Sequence, residues 1–169
     1  LSLGSFVRGD YRVIGEKTAE VRRFWEAQRK ALGIDTDEYD ASTFADVRFA
    51  TYHDELLNLV TEGKKRATAH LDLDFERNNI RRRKAGDYWV IVNSVSEPRF
   101  LIRITDVDIR PFNKVELSFA EREGEGDSSL AYWAQVHQEY FELQCAEWGV
   151  AWREDLLTVC EGFDLLASA

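Results

Sequence analysis

The stretch Gly86-Asp87-Tyr88-Trp89-Val90-Ile91-Val92-Asn93 contains an uninterrupted apolar run that starts after a turn-forming pair. Successive side chains of a strand point to opposite faces, so both faces of this segment are apolar. We therefore predict a central β-strand over residues 88–93 that is covered on both sides. Gly86-Asp87 is its preceding turn.

The residues that follow predict two more strands and two helices. The strands span 99–109, before Pro111, and 157–165, where alternate residues are apolar. A short helix is predicted over 115–122. A longer helix starts at Asp127 or Ser128, because apolar residues then recur every three or four positions.

The residues before the central strand favour helices. A helix over 16–32 ends at Gly33, and the acidic stretch 35–40 follows as a solvated connector. Residues 47–52 suit a short strand. The next predicted element is a two-turn helix, capped by Asp54 and ended by Gly63.

Strands and helices do not alternate regularly along the chain, which argues against a doubly wound parallel sheet. We predict an α+β fold built on a small mixed β-barrel flanked by helices. Residues 1–44 would form a helical extension with an acidic linker, and residues 45–169 the principal domain.

Composition limits the possible partners. The net charge of −9 opposes tight binding to duplex nucleic acid. No apolar run reaches the roughly 18 residues of a membrane span, so we expect a soluble cytoplasmic protein. Cys145 and Cys160 lack a CxxC partner and are expected to be buried free thiols.

One basic segment contrasts with this acidic chain. Eight Lys or Arg and only three acids lie from Lys64 to Lys84, which predicts one local anion site. We expect Arg81, Arg82 and Arg83 to be exposed and to guide a phosphate-bearing substrate. The alternative is a loop that only contributes solubility.

The start of this segment, Gly63-Lys64-Lys65-Arg66-Ala67-Thr68, combines an amine with a hydroxyl. It lacks the glycine pattern of a phosphate-binding P-loop. If the cations Lys64 and Arg66 lower the pKa of Lys65, its amine can accept the Thr68 proton. An exposed basic turn is the alternative.

Glu123 belongs to an acidic group with Glu121, Glu125 and Asp127. The group is either a solvated loop or the source of a proton shuttle beside Lys65, and its spacing matches no calcium loop. We predict neither a metal nor a cofactor.

Three further side chains leave two interpretations open. His137 is either a core histidine or a pocket wall on which it stacks a base with Trp133 and Tyr140. Glu161 is either buried with a basic partner or lines a cleft.

Several segments in order resemble one family, the activating-signal-cointegrator homology (ASCH) domain of the PUA-like superfamily. They are Gly63–Ala69, Gly86–Val92, Val107–Phe112, Phe119–Asp127, Ser129–Trp133, His137 and Val159–Phe163. The resemblance covers about residues 45–165. The preceding helix resembles the extension of the longer bacterial members.

The resemblance implies a barrel of five or six strands, with a cleft around the Gly-Lys-Lys turn. One bacterial member of the family removes the acetyl group from N4-acetylcytidine, and its Lys, Thr and Glu match Lys65, Thr68 and Glu123. In that reaction Thr68 would attack, Lys65 would take its proton, and Glu123 would protonate the leaving amine. The short amidohydrolases lack the Gly124–Asp127 loop and the N-terminal helix of this chain.

Two functions follow as expectations. The first is a metal-independent hydrolase of RNA or of a modified nucleoside, by N4-acylcytidine amide hydrolysis or single-stranded RNA cleavage. The second is a non-catalytic RNA-binding module. In both, substrate contacts would come from Lys64, Arg66, Arg81, Arg82, Arg83, Trp133 and His137. The sequence predicts no oligomeric state.

Overall fold

The structure is a computed structural model that describes residues 16–46 and 49–169. Its helices are α1 (Ala19–Leu32), α2 (Ala50–Thr61), α3 (Asp72–Arg77), α4 (Leu117–Glu123) and α5 (Leu130–Trp148). Its strands are β1 (Asp40–Ser42), β2 (Ala67–Leu71), β3 (Tyr88–Val92), β4 (Pro98–Pro111) and β5 (Leu157–Ser168).

The five strands form one sheet in the order β1-β3-β4-β5-β2. β1 runs parallel to β3, and the other neighbours are antiparallel. The sheet curls into a half-barrel, so that the rings of His70 on β2 and Trp89 on β3 lie 6.0 Å apart. β4 extends beyond the end of β3. From Thr105 to Pro111 it pairs only with β5 among the described residues.

The prediction of a central strand covered on both sides is confirmed. On one face of β3, Trp89 and Ile91 pack with residues of α2. On the other face, Val90 and Val92 pack with Val21 of α1. The alternation of a strand thus places one apolar run in two separate cores.

A third core lies under α5, where Phe141 and Cys145 pack against Leu71 of β2. Ser129 begins α5, its hydroxyl accepting the Tyr132 N–H at 3.0 Å, and Gly149 ends it with a φ of 67°. α1 is capped in the same way, by Thr18 at its start and Gly33 at its end. These caps lie close to the predicted helix limits.

The strands predicted at 99–109 and 157–165 are present as β4 and β5, each longer than expected. The mixed α+β fold with a small curled sheet is also confirmed. Cys145 and Cys160 are buried free thiols, as expected. No helix in the described ranges is long and apolar enough to cross a bilayer.

Three local predictions were wrong or incomplete. Of the strand predicted at 47–52, residues 47 and 48 lie outside the described residues, and Ala50 begins α2. Asp54 lies inside that helix and does not cap it. The acidic connector was expected to be solvated throughout, but Asp40 begins β1.

A domain boundary between residues 44 and 45 stays a prediction. α1 packs on β3 and β4, and β1 pairs with β3.

Candidate functional site

Lys65 and Glu123 are 58 residues apart in the sequence and form an ion pair in the structure. Their neighbours in the chain bring them together. The backbone N–H of Arg66 donates to the carbonyl of Arg122 at 2.7 Å, and the N–H of Phe163 donates to the carbonyl of Arg66 at 3.0 Å. The segment before β2 is therefore held between α4 and β5.

Lys65 lies between two buried carboxylates. Its Nζ is 2.6 Å from Glu123 Oε2 and 3.2 Å from Glu125 Oε1, and its side chain is 0 % exposed. Burial alone would lower the pKa of Lys65, but the charges of Glu123 and Glu125 raise it above the ordinary value. The side chain is therefore an ammonium at neutral pH.

The expectation that neighbouring cations lower the pKa of Lys65 was wrong. The Lys64 side chain points outward and pairs with Glu62 at 2.7 Å. The Arg66 guanidinium donates to the backbone carbonyls of Val60 and Lys65. Neither cation contributes to the raised pKa of Lys65, which has two carboxylates as its nearest charges.

Glu123 accepts hydrogen bonds from three side chains. Besides Lys65, Trp133 Nε1 donates to its Oε1 at 3.1 Å, and His137 Nε2 lies 3.3 Å from the same oxygen. Burial raises the pKa of Glu123, but the charges of Lys65 and His137 outweigh it and lower the pKa below the usual range. Glu123 is therefore a carboxylate with no proton to give at neutral pH.

Glu125 differs from Glu123 although both contact Lys65. Tyr52 donates its hydroxyl to Glu125 Oε2 at 2.8 Å. Burial, together with the nearby charge of Glu123, raises the pKa of the Glu125 carboxyl. Burial also raises the pKa of Tyr52 well above its ordinary value, so the phenol stays a hydrogen-bond donor. Glu125 is the better proton carrier of the two.

The sequence did not single out Tyr52. It indicated Glu125 only as one member of an acidic group. Glu121 and Asp127, the other members, are exposed. Tyr52 carries no signal in the sequence, because its role depends on a contact with a residue 73 positions away.

Thr68 lies on β2, 3 % exposed, opposite Glu161 of β5. Alternation along β2 puts Thr68 and His70 on the opposite face from Ala69 and Leu71, which pack under α5. The hydrogen bonds of Lys65 Nζ go to the two carboxylates and not to Thr68.

His137 and Trp133 belong to the core of the site. Their rings stack with centroids 4.3 Å apart, and Phe112 stacks on Trp133 at 5.2 Å. His137 Nδ1 donates to the Trp133 carbonyl at 2.9 Å. Burial lowers the pKa of His137, but Glu123 raises it to above the ordinary value overall. A base-stacking role for these two rings stays a prediction.

The three consecutive arginines are all paired. Arg81 donates to Asp87 at 2.8 Å, and Arg82 pairs with Asp72. Arg83 is 6 % exposed, so the expectation of an exposed run was wrong at this residue.

Arg83 is the basic partner of Glu161. Its Nε and Nη2 donate to the two carboxylate oxygens of Glu161 at 3.0 and 2.8 Å. Its guanidinium lies 3.7 Å from the centroid of the Trp89 ring. Of the two interpretations of Glu161, the structure supports the buried pair.

Glu123, Glu125 and His137 could offer three ligand atoms to a metal ion, all within 4.8 Å of one another. Lys65 Nζ already contacts both carboxylates, so a cation there would have to displace an ammonium. We assign no metal to this group.

The curled sheet with flanking helices defines a PUA-like α+β domain with a buried Lys-Glu-Glu-His network. The ASCH domain family model matches residues 40–167. The chain belongs to the ASCH domain family.

Two solved structures are similar over most of this chain. The protein EF3133 from Enterococcus faecalis V583 is 31 % identical, with a TM-score of 0.79 over 88 % of this chain and 89 % of that one. An ASCH domain from Lactobacillus crispatus JV V101 is 27 % identical, with a TM-score of 0.79 over 90 % of this chain and 96 % of that one. No curated protein matches the sequence significantly.

Proposed function

We propose that this ASCH domain is a hydrolase that removes an acyl group from the amine of a modified nucleoside. The observation that carries the proposal is Lys65, a fully buried ammonium held by Glu123 and by Glu125, whose pKa values are shifted in opposite directions. Neighbouring titratable groups whose pKa values are shifted in opposite directions by their surroundings are typical of acid–base sites.

The charge distribution favours a small neutral substrate over a long RNA chain. Arg81, Arg82 and Arg83 each have a carboxylate partner, and the whole chain carries a net charge of −9. These three arginines are therefore not free to neutralise phosphates, on which RNA affinity largely depends.

The proposed reaction passes through an ester of Thr68. Lys65 gives one ammonium proton to the carboxyl pair, where Glu125 holds it better because its pKa is raised. The neutral amine then takes the Thr68 proton while the hydroxyl oxygen bonds to the acyl carbon. As the carbon–nitrogen bond breaks, the proton on the carboxyl pair passes to the leaving amine. Water cleaves the ester by the same transfers, which restores Thr68.

This assignment keeps Lys65, Thr68 and Glu123 as proposed catalytic residues and gives the proton-donor role mainly to Glu125. Glu123 then acts as the anchor of Lys65, through its 2.6 Å contact. A cytoplasmic location is part of the proposal and is supported by the two buried free thiols.

One observation favours a second candidate, a non-catalytic RNA-binding module. Lys65 and both of its carboxylates are at most 4 % exposed, as in a network that only stabilises the fold. In that case the domain would bind single-stranded RNA without turnover.

The test is a substrate panel. Purified protein is incubated, with and without EDTA, with N4-acetylcytidine, other N-acylated nucleosides and a labelled single-stranded RNA. We expect deacylation of a nucleoside that EDTA leaves unchanged. Cleavage of the RNA alone would indicate a ribonuclease, and RNA binding without any turnover would favour the binding module.

Thr68→Ala and Thr68→Ser separate the chemistry from packing. The serine variant keeps a hydroxyl and should retain deacylation, whereas the alanine variant should lose it. Equal activity in both variants would exclude Thr68 as the nucleophile.

A further inference from the structure

His137 has a polar contact at each of its two ring nitrogens, and the proposed proton transfers use neither. Its Nδ1 lies 2.9 Å from the carbonyl oxygen of Trp133, one helical turn earlier in α5. Its Nε2 lies 3.3 Å from Glu123 Oε1. The side chain is 4 % exposed, so these two oxygens, rather than solvent, surround its polar atoms.

Both of these oxygens can only accept hydrogen bonds. A carbonyl oxygen carries no hydrogen, and Glu123 is ionised because burial raises its pKa less than the charge of Lys65 lowers it. A neutral imidazole has a single N–H, so in either tautomer one ring nitrogen would direct a lone pair at an oxygen. Only the doubly protonated ring donates to both. The contacts of His137 therefore indicate an imidazolium.

The surroundings of His137 stabilise a positive charge. Burial lowers the pKa of His137, but the charge of Glu123, its hydrogen bond and the charge of Glu125 raise it above the ordinary value. The ring also stacks on the indole of Trp133, with centroids 4.3 Å apart. The face of an aromatic ring attracts a cation, so this stacking favours the charged form as well.

With His137 charged, the buried network is electrically balanced. Lys65 and His137 contribute two positive charges, and each contacts Glu123. Glu123 and Glu125 contribute two negative charges. His70 adds none at neutral pH, because burial lowers its pKa to about 3. Burying charges is costly unless they are paired, so the second cation explains how two carboxylates at most 4 % exposed can lie side by side.

The second cation matters most when Lys65 loses a proton. In the proposed reaction that proton moves to the carboxyl pair and stays mainly on Glu125, so Lys65 and Glu125 both become neutral. Glu123 then keeps one charged partner, His137 at 3.3 Å. Beside a neutral imidazole it would be a buried carboxylate without a counter-ion, which is strongly unfavourable.

We propose that His137 is the second cation of this site, a positioning residue that acts through Glu123 and allows Lys65 to release its proton. The charge of His137 is inferred from its own contacts, whereas its part in deacylation rests on the proposed function. The role requires no contact between His137 and the substrate.

The first test measures the imidazole nitrogens of wild-type protein by nitrogen-15 NMR at pH 7.0. The chain has three histidines, and we expect both nitrogens to be protonated in His137 alone. His53 controls for burial, because it is 0 % exposed, its Nε2 contacts the Val92 carbonyl, and its Nδ1 has no partner among the described residues. An unprotonated nitrogen on His137 would overturn the proposal.

The second test measures hydrogen exchange of the Lys65 ammonium, which exchanges only after it has released a proton. His137→Gln keeps an N–H donor for Glu123 but removes the charge. We expect exchange at least about tenfold slower than in wild-type protein, the effect of one hydrogen bond to a charged group. The matched control His53→Gln should exchange at the wild-type rate. Equal or faster exchange in His137→Gln would refute the role in proton release.

The pH profile of deacylation is a third readout. A raised pKa means that the charge of His137 is present at low pH and is lost as pH rises. We therefore expect kcat to fall through the same pH range in which NMR shows His137 to titrate. In His137→Gln this limb should be absent, with kcat lower by about 10–100-fold and KM unchanged. A limb that persists in the variant would contradict the proposal.

These outcomes separate the second cation from the proposed function. A doubly protonated His137 with slower Lys65 exchange in His137→Gln, but without deacylation of any nucleoside, would refute the hydrolase and keep the second cation. Deacylation by a protein whose His137 has an unprotonated nitrogen would do the reverse.

Discussion

Lys65 is the residue whose surroundings most restrict its chemistry. An arginine at this position would keep the positive charge between Glu123 and Glu125, but it could not become neutral at any working pH. We expect Lys65→Arg to lower kcat/KM for deacylation by roughly 10²–10⁴-fold, the usual contribution of general acid–base catalysis.

Lys64→Arg is the matched control for this prediction. Lys64 is the preceding residue, but its side chain is exposed and, among the described residues, pairs with Glu62 alone. Its replacement should leave steady-state kinetics unchanged. If Lys65→Arg were as active as the control, Lys65 would be an electrostatic anchor and not a base.

His70 makes stability depend on pH. Its pKa is about 3 in the folded protein and about 6.5 when unfolded, so below pH 6.5 the unfolded chain binds more protons. The resulting stability is complete above pH 6.5 and is lost as pH falls toward 3, at roughly 1.4 kcal/mol per pH unit.

We expect His70→Asn to reduce this pH dependence. Urea unfolding at pH 7.5, 6.0 and 5.0 measures the free energy of unfolding of both proteins. The variant should lose less stability on acidification than wild-type protein. Equal losses would show that His70 is protonated as readily in the folded state as in the unfolded chain.

At the scale of elements, α4 is held to the sheet by a contact that only glycine permits. Arg122 of α4 pairs with Asp106 of β4 through both guanidinium Nη atoms, at 2.9 and 2.7 Å. A Cβ at Gly162 of β5 would overlap this guanidinium. Glu123 is the next residue after Arg122. The Arg122–Asp106 ion pair over Gly162 therefore also positions the Glu123 carboxylate.

We expect Gly162→Ala to destabilise the protein by about 1 kcal/mol, the low end of the cost of overpacking, because the atoms it meets are the ends of two partly exposed side chains. It should also lower deacylation by displacing Glu123. In Arg122→Ala/Gly162→Ala the overlap is gone, so the loss of stability should be smaller than the sum of the single losses. Additive losses, measured by thermal unfolding, would contradict this explanation.

Elements with a regular pattern could be predicted from the sequence, and elements defined by distant contacts could not. β3 and α5 follow from apolar periodicity. β2 was missed because its apolar and polar residues alternate over only five positions. Its polar residues Thr68 and His70 are buried as well, which the sequence does not indicate. Residues 50–52 were assigned to a strand, but tertiary packing makes them helical.

The same limit applies to the site. The sequence singled out Lys65, Thr68 and Glu123, but it gave the pKa of Lys65 the wrong direction. Neighbours in the chain are cations, whereas neighbours in space are carboxylates from 58 and 60 residues away. Charge along a sequence does not determine charge around a side chain.

At the scale of the whole molecule, two exposed arginines of the basic segment are already paired with carboxylates. Arg81 pairs with Asp87 and Arg82 with Asp72, so neither guanidinium is free to contact a phosphate, and both are replaced by glutamine as the test. We expect the variant to bind single-stranded RNA with the same salt dependence as wild-type protein. A slope of log K against log salt shallower by about 1 or more would show that these residues contact phosphates.

The free edge of β4 affects how copies of the chain meet. From Thr105 to Pro111 this edge pairs with no other strand in the described part of the chain, and Ile109 is 44 % exposed. Unpaired backbone groups of this kind can join strands of two molecules, unless charges and proline prevent it. Asp108 and Arg110, with Pro111 at the end, supply that protection.

Asp108→Val should therefore cause concentration-dependent self-association, visible by light scattering, while the fold stays intact. Resistance of this protein to self-association thus depends on residues that are separate from those of the candidate site.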